Sequence, residues 1–108
     1  MDKRLTFKKQ VIDWAKTVKV RPVQIRIQKM RKKWASCSSN GYVTFNEDIL
    51  SVRKSFMDYV IVHELLHLRV PNHGKLFKSL MDAYLPGWQK GKDIMNNRGF
   101  TSSTQDQG

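Results

Sequence analysis

The sequence predicts a small α+β domain, and two observations carry that expectation. Within residues 23–45, apolar and polar side chains alternate and a strong turn signal interrupts them, the pattern of a short antiparallel sheet. On either side, apolar residues recur at helical spacing, and one helical stretch is apolar nearly all the way round. The 108 residues suit one domain. Its expected span is 1–100, with the polar stretch 101–108 as a disordered tail.

The first element is an amphipathic helix over residues 5–18. Leu5, Val11, Ile12, Ala15 and Val18 recur at helical spacing, with Lys8, Lys9, Lys16 and Lys19 elsewhere on the cylinder. Arg21-Pro22 ends it, because a residue before proline disfavours helix. Three strand-like segments follow at 23–30, 33–38 and 42–45. The first alternates Val23, Ile25 and Ile27 with Gln24, Arg26 and Gln28. Ser39-Asn40-Gly41 is a turn of the kind that joins antiparallel strands. Together they predict a three-stranded antiparallel meander.

A second helix is expected over residues 54–70. At about 100° per residue, His63, Glu64 and His67 share one arc. Met57, Ile61, Leu65 and Leu68 fall on the opposite side, with Val60, Val62 and Leu66 on the flanks. Such a helix is buried and central, and its one polar arc needs a cause. Asp58 near its start suits the helix dipole. Pro71-Asn72 breaks it. A third helix is expected over 75–84, with Leu76, Phe77, Leu80 and Ala83 on one side, ended by Pro86-Gly87. A last short one is expected over 88–96.

Charge is distributed unevenly. Of 20 Lys+Arg and 9 Asp+Glu, residues 1–33 hold 12 basic and two acidic ones, a net of +10, and the remainder nets +1. A concentrated basic segment attracts phosphate backbones, so nucleic acid is an expected partner of this N-terminal third. The plain alternative is a solvated, repulsive surface. The single cysteine, Cys37, allows no internal disulfide and fits a reducing compartment. The first residues lack the apolar stretch of a secretion signal, and no apolar run approaches membrane-spanning length. A cytoplasmic protein without a membrane partner is the expectation.

His63-Glu64-Leu65-Leu66-His67 fits H-E-x-x-H. Residues i and i+4 lie one turn apart on a helix face, so two imidazoles can converge on one ion. A catalytic zinc uses three protein ligands. The third candidate is His73, the one other histidine, six residues after His67 and just beyond the break. The longer H-E-x-x-H-x-x-G-x-x-H pattern has this same count, with Val70 here in its glycine position. Glu64 stands where a general base would take a proton from the zinc-bound water. Two buried histidines and a glutamate without a metal would be costly. The expected cofactor is one zinc ion per chain.

Four blocks in order carry a family resemblance: Lys33-Trp34-Ala35-Ser36-Cys37-Ser38, Gly41-Tyr42-Val43-Thr44-Phe45-Asn46, the segment from Asp58 through His63-Glu64-Leu65-Leu66-His67 to Leu68, and Asn72-His73-Gly74-Lys75-Leu76-Phe77. Over about residues 20–90 the chain resembles the YgjP-like metallopeptidases, a minimal zincin group akin to the SprT-like and WLM proteases. The resemblance implies a small antiparallel sheet packed on the active-site helix. It implies zinc on His63, His67 and His73, with Glu64 as catalytic base. Ala35 stands where the family usually has Gly, and Lys78 where it usually has Trp; neither is a ligand or the base.

The main functional expectation is a zinc metallopeptidase hydrolysing peptide bonds in a protein or peptide substrate. A second is a nucleic-acid-associated protease acting on DNA-bound proteins. A third is a non-catalytic, zinc-stabilised binding module. Cys37 reads better as a strand residue than as a fourth ligand, because three histidines already suffice. Trp34 reads as core. Asn72 orients His73 or ends a helix. Tyr59 and Tyr84 are candidate oxyanion stabilisers. The Arg31-Lys32-Lys33 cluster meets phosphates or is a solvated strand end.

Overall fold

The computed structural model describes residues 2–92. Helix α1, Lys3–Val18, is capped by Asp2, whose side chain accepts from Arg4 N at 2.9 Å. It ends at Lys19 in the left-handed region, φ 64°. Its buried stripe is Phe7, Val11, Ala15 and Val18, an i, i+4, i+8, i+11 series. Leu5 and Ile12, expected on that stripe, are 67% and 46% exposed. They lie about 100° or more round the helix from Val11, beyond the width that one packing face can cover.

The sheet comprises β1 (Gln24–Gln28), β2 (Ala35–Cys37) and β3 (Tyr42–Asn46), in the order β1-β3-β2. β2 and β3 form the expected antiparallel hairpin, but β1 runs parallel to β3. The sheet is therefore mixed, and the all-antiparallel meander is corrected. Parallel neighbours need a crossover, and residues 29–41, which include β2, form it. Only the β2–β3 junction carries a tight-turn signal. There Gly41 adopts φ +92°, and a Cβ at that position would meet Val23 Cγ2 at 2.9 Å. Glycine thus satisfies the turn and admits Val23, whose N–H donates to Gly41 O at 2.7 Å.

A short 3-10 turn, Glu47–Ser51, follows β3 and was not expected. Asn46 starts it, accepting from Asp48 N at 3.1 Å. The same buried side chain donates from Nδ2 to Met30 O at 3.0 Å and to Lys33 O at 2.8 Å. One amide thus holds the crossover loop against the end of β3.

Helix α2, Lys54–Leu66, is buried continuously from Tyr59 to Leu66. The expected extension to residue 70 is a tighter turn: Arg69 N and Val70 N both donate to Leu66 O, at 2.9 and 2.7 Å. α2 packs between α1, β2 and α3. Trp14 Nε1 donates to Asp58 Oδ1 at 3.0 Å and Arg69 Nη1 to Val18 O at 3.0 Å, pinning α1 along it. Trp34, fully buried, meets Phe56 edge-on at 5.0 Å, and Phe7 meets Phe45 likewise at 5.0 Å. Helix α3, Lys75–Tyr84, buries Phe77 and Met81 with Leu80 and Tyr84 partly buried. Leu76 and Ala83 face solvent instead, so the inward stripe is 77, 80, 81 and 84. Residues 89–92 are helical. The rest of the last expected helix and the expected tail lie outside the described residues. Among those residues, no helix is long and apolar enough to cross a membrane.

Candidate metal centre

Helix α2 ends in the polar arc that its sequence marked out. His63 is 4% exposed, Glu64 0% and His67 9%. His67, at the C-cap, keeps right-handed helical angles, so the i, i+4 spacing still stacks the two imidazoles on one face. Their rings meet edge-on at 4.9 Å. His73 reaches the same point from the loop beyond Pro71. Asn72 Oδ1 accepts from Gly74 N at 3.1 Å, an Asx turn that brackets His73 and leads into α3.

One ligand-capable atom from each of His63, His67 and His73 lies within 4.8 Å of the others. His67 Nδ1 lies 3.2 Å from the Val70 carbonyl oxygen. A carbonyl only accepts, so Nδ1 carries the proton and Nε2 presents a lone pair. His67 Nε2 and His73 Nε2 are 2.8 Å apart, so His73 supplies the proton between them. Two nitrogens on one tetrahedral zinc stand about 3.3 Å apart, given Zn–N near 2.05 Å. The loop-borne His73 ring has to give by about half an ångström and shift its tautomer. The donor set, three imidazoles with ligand atoms within 4.8 Å of one another, fits a zinc ion.

Burial, reinforced by the neighbouring His63, lowers the His67 pKa from 6.5 to about 4. Neutral imidazole is the metal-binding form, so the ring is held ready. In the metal-free protein this has a stability consequence. Between pH 6.5 and about 4 the unfolded chain takes up the proton first, so stability falls as pH falls through that window, by on the order of 3 kcal/mol. Urea midpoints of the chelated protein at pH 7 and pH 4.5 measure it; equal midpoints would contradict it.

Glu64 is adjacent. Its Oε2 lies 3.3 Å from His63 Nδ1, while Oε1 is buried and makes no hydrogen bond among the described residues. A carboxylate oxygen left unsatisfied inside a protein is costly; here it borders the imidazole cluster. Phe77 of α3 lies against all three imidazoles, with centroids 5.3 Å from His63, 4.9 Å from His67 and 4.6 Å from His73. The ring backs the cluster with an apolar wall. This role was missed, although the i+4 spacing from His73 was a signal for it.

Strand β2 borders the same place. Trp34 O accepts from Asn46 N and Ser38 N donates to Tyr42 O, at 2.8 and 2.9 Å, with Ser36 opposite Thr44. Alternate residues of an antiparallel ladder face their partner. Ala35 and Cys37 therefore turn their N–H and C=O groups away from β3, along a sheet edge. Cys37, half-buried, has its thiol pushed up to about 12 by burial and then by the Glu64 charge. It is a neutral thiol at pH 7, close enough to feel Glu64, and outside the three-histidine cluster. Tyr59 is buried, 5.6 Å from His63 and stacked on Phe56 at 6.1 Å. Tyr84 lies on the partly buried side of α3. Lys78 is exposed and Ala35 fully buried, neither in the cluster.

A helix-borne pair of histidines, an adjacent buried glutamate and a third histidine after a break are the working parts of a metallopeptidase domain. The chain belongs to the YgjP-like metallopeptidase family, whose model matches residues 2–98. No curated protein sequence matches it. The zymogen of the Pyrococcus abyssi metallopeptidase abylysin has a similar structure: TM-score 0.77 at 20% identity, covering 89% of this chain and 98% of that one. The zymogen of Methanocaldococcus jannaschii jannalysin is also similar, with TM-score 0.71 at 23% identity, covering 85% and 91%. At such identities the likeness is one of fold.

Proposed function

We propose that this chain is a zinc-dependent peptidase, with one zinc ion held by His63, His67 and His73 and with Glu64 as general base. The observation that carries this reading is the convergence of three imidazoles within 4.8 Å beside a buried carboxylate oxygen without a hydrogen-bond partner among the described residues. When bound, the zinc ion supplies Lewis acidity, making water a stronger acid near neutral pH and drawing charge from a carbonyl oxygen. Glu64 Oε1 takes the proton of the attacking water and returns it to the leaving amine nitrogen. The Val70 carbonyl fixes the His67 tautomer and orientation. Phe77 excludes water behind the imidazoles. The outward backbone groups of half-buried Cys37, at the end of β2, pair with an extended polypeptide.

The direct test is cleavage of a fluorophore-labelled, unfolded casein by the full chain supplied with one equivalent of zinc. Hydrolysis that a chelator stops and added zinc restores is the expected result. Zinc bound one to one with no cleavage of any unfolded protein would replace this reading with that of a zinc-stabilised binding module.

A further inference from the structure

Helix α1 buries one stripe and packs on α2, and its other side is a mixed surface of apolar and basic side chains. At about 100° per residue, Leu5, Lys8, Lys9, Ile12 and Lys16 fall within an arc of about 100°. Leu5 and Ile12 are exposed although large and apolar. Lys9 and Lys16 are exposed beside them, and Lys8 is half-buried. The face continues onto the chain that leaves the helix. Ile12 and Lys16 line an open groove of about 510 Å³ together with Val20, Arg21, Pro22 and Val23. Arg21 and Val23 are exposed there. Asp13, the one acid within α1, lines a different groove with Trp14 and Thr17. Of the five large apolar side chains exposed among the described residues, three belong to this face. Such side chains scattered singly need no explanation, whereas several together, ringed by cations, do.

We infer that this face docks the protein onto a bilayer containing anionic lipid, lying along the headgroups without crossing them. The inference is independent of the peptidase reading. Charge complementarity and the apolar side chains together select this occupant. Lys9, Lys16 and Arg21 meet the anionic headgroups, while Leu5, Ile12 and Val23 enter the boundary of the acyl chains. A nucleic acid uses the cations but offers its charged backbone to the three aliphatic side chains. A second copy of the same face brings like charges together. The expectation of no membrane partner rested on the lack of a spanning stretch, and docking on the surface needs none. The face points away from α2, which carries His63 and ends at His67. Each basic side chain near an anionic surface contributes about fivefold in affinity, so three or four contribute on the order of a hundredfold.

The test is co-sedimentation of the full chain with two kinds of vesicle, phosphatidylcholine alone and phosphatidylcholine with about one-third phosphatidylserine. Half-binding at on the order of a hundredfold less lipid on the anionic vesicles, fading as salt approaches about 1 M, is the expected result. The double variant Leu5→Ser/Ile12→Ser should bind the anionic vesicles about tenfold more weakly and keep its Tm, because both side chains are exposed. Lys9→Glu/Lys16→Glu should lose at least as much, again with Tm kept. Equal binding to the two kinds of vesicle, or none to either, would overturn the inference. So would a serine variant that binds like the wild type. If that variant also stays on a DNA duplex which the glutamate variant releases, the basic residues belong to nucleic acid instead.

Discussion

Glu64→Gln lowers the rate of peptide hydrolysis by on the order of 10³-fold and leaves zinc binding intact. The expected size follows from the role. A positioned general base is worth about 10²–10⁴-fold, and an amide of the same shape cannot accept a proton at neutral pH. Glutamine retains an atom facing His63 Nδ1, where Oε2 now stands at 3.3 Å, so the imidazole stays oriented. The substitution also replaces a fully buried carboxyl group with a neutral one. The metal-free variant should therefore be more stable than the wild type, by about 1–3 kcal/mol. Activity and stability move in opposite directions, which separates a functional glutamate from a structural one. Steady-state cleavage, elemental analysis and urea unfolding of the two proteins decide it. Activity within about tenfold of wild type would remove Glu64 from the mechanism.

His67→Ala has the largest expected effect on metal binding. Its ring is buried at 9% exposure, fixed by the Val70 carbonyl and laid nearly flat on Phe77, with an interplanar angle of 23°. Removal deletes one donor and the face-on partner of the apolar wall. The wild type should hold about one zinc per chain. Free zinc at a thousand times Kd stabilises by about 4 kcal/mol. In a domain of this size that raises Tm by about 15–25 °C over the chelated protein. The alanine variant should lose both the zinc and the Tm rise. His73→Ala should lose less, because that ring is half-exposed on a loop. Full zinc occupancy in His67→Ala would show that the cluster is a packing feature.

Much of this arrangement is legible in the sequence, for identifiable reasons. The single polar arc on an otherwise apolar helix marked His63, Glu64 and His67, and the Pro71-Asn72 break with one further histidine marked His73. Helix α3 was placed at its observed ends by its own breakers. Strand order was not legible. Alternation reports which face of a strand is buried, and it is the same whether β1 lies beside β2 or beside β3. The pairing was decided by distant partners, the Gly41 carbonyl for Val23 and the Asn46 amide for the crossover loop, and local patterns carry no trace of them. Asn46 preceding Glu47-Asp48 did carry a capping signal, but its second task lies in tertiary space. Leu5 and Ile12 misled because helical spacing alone does not say where the neighbouring element ends.

The mixed sheet also bears on how the chain assembles. The β2–β3 hairpin joins residues as few as four apart, Ser38 with Tyr42, whereas β1 meets β3 at a separation of 18, Gln24 with Tyr42. Closing the longer loop costs more chain entropy before any contact rewards it. The hairpin is thus the local unit that forms early, and β1 zips onto it late, once Gly41 has set the turn that receives Val23. The strand nearer the three-histidine cluster is therefore expected to be in place before the sheet is complete.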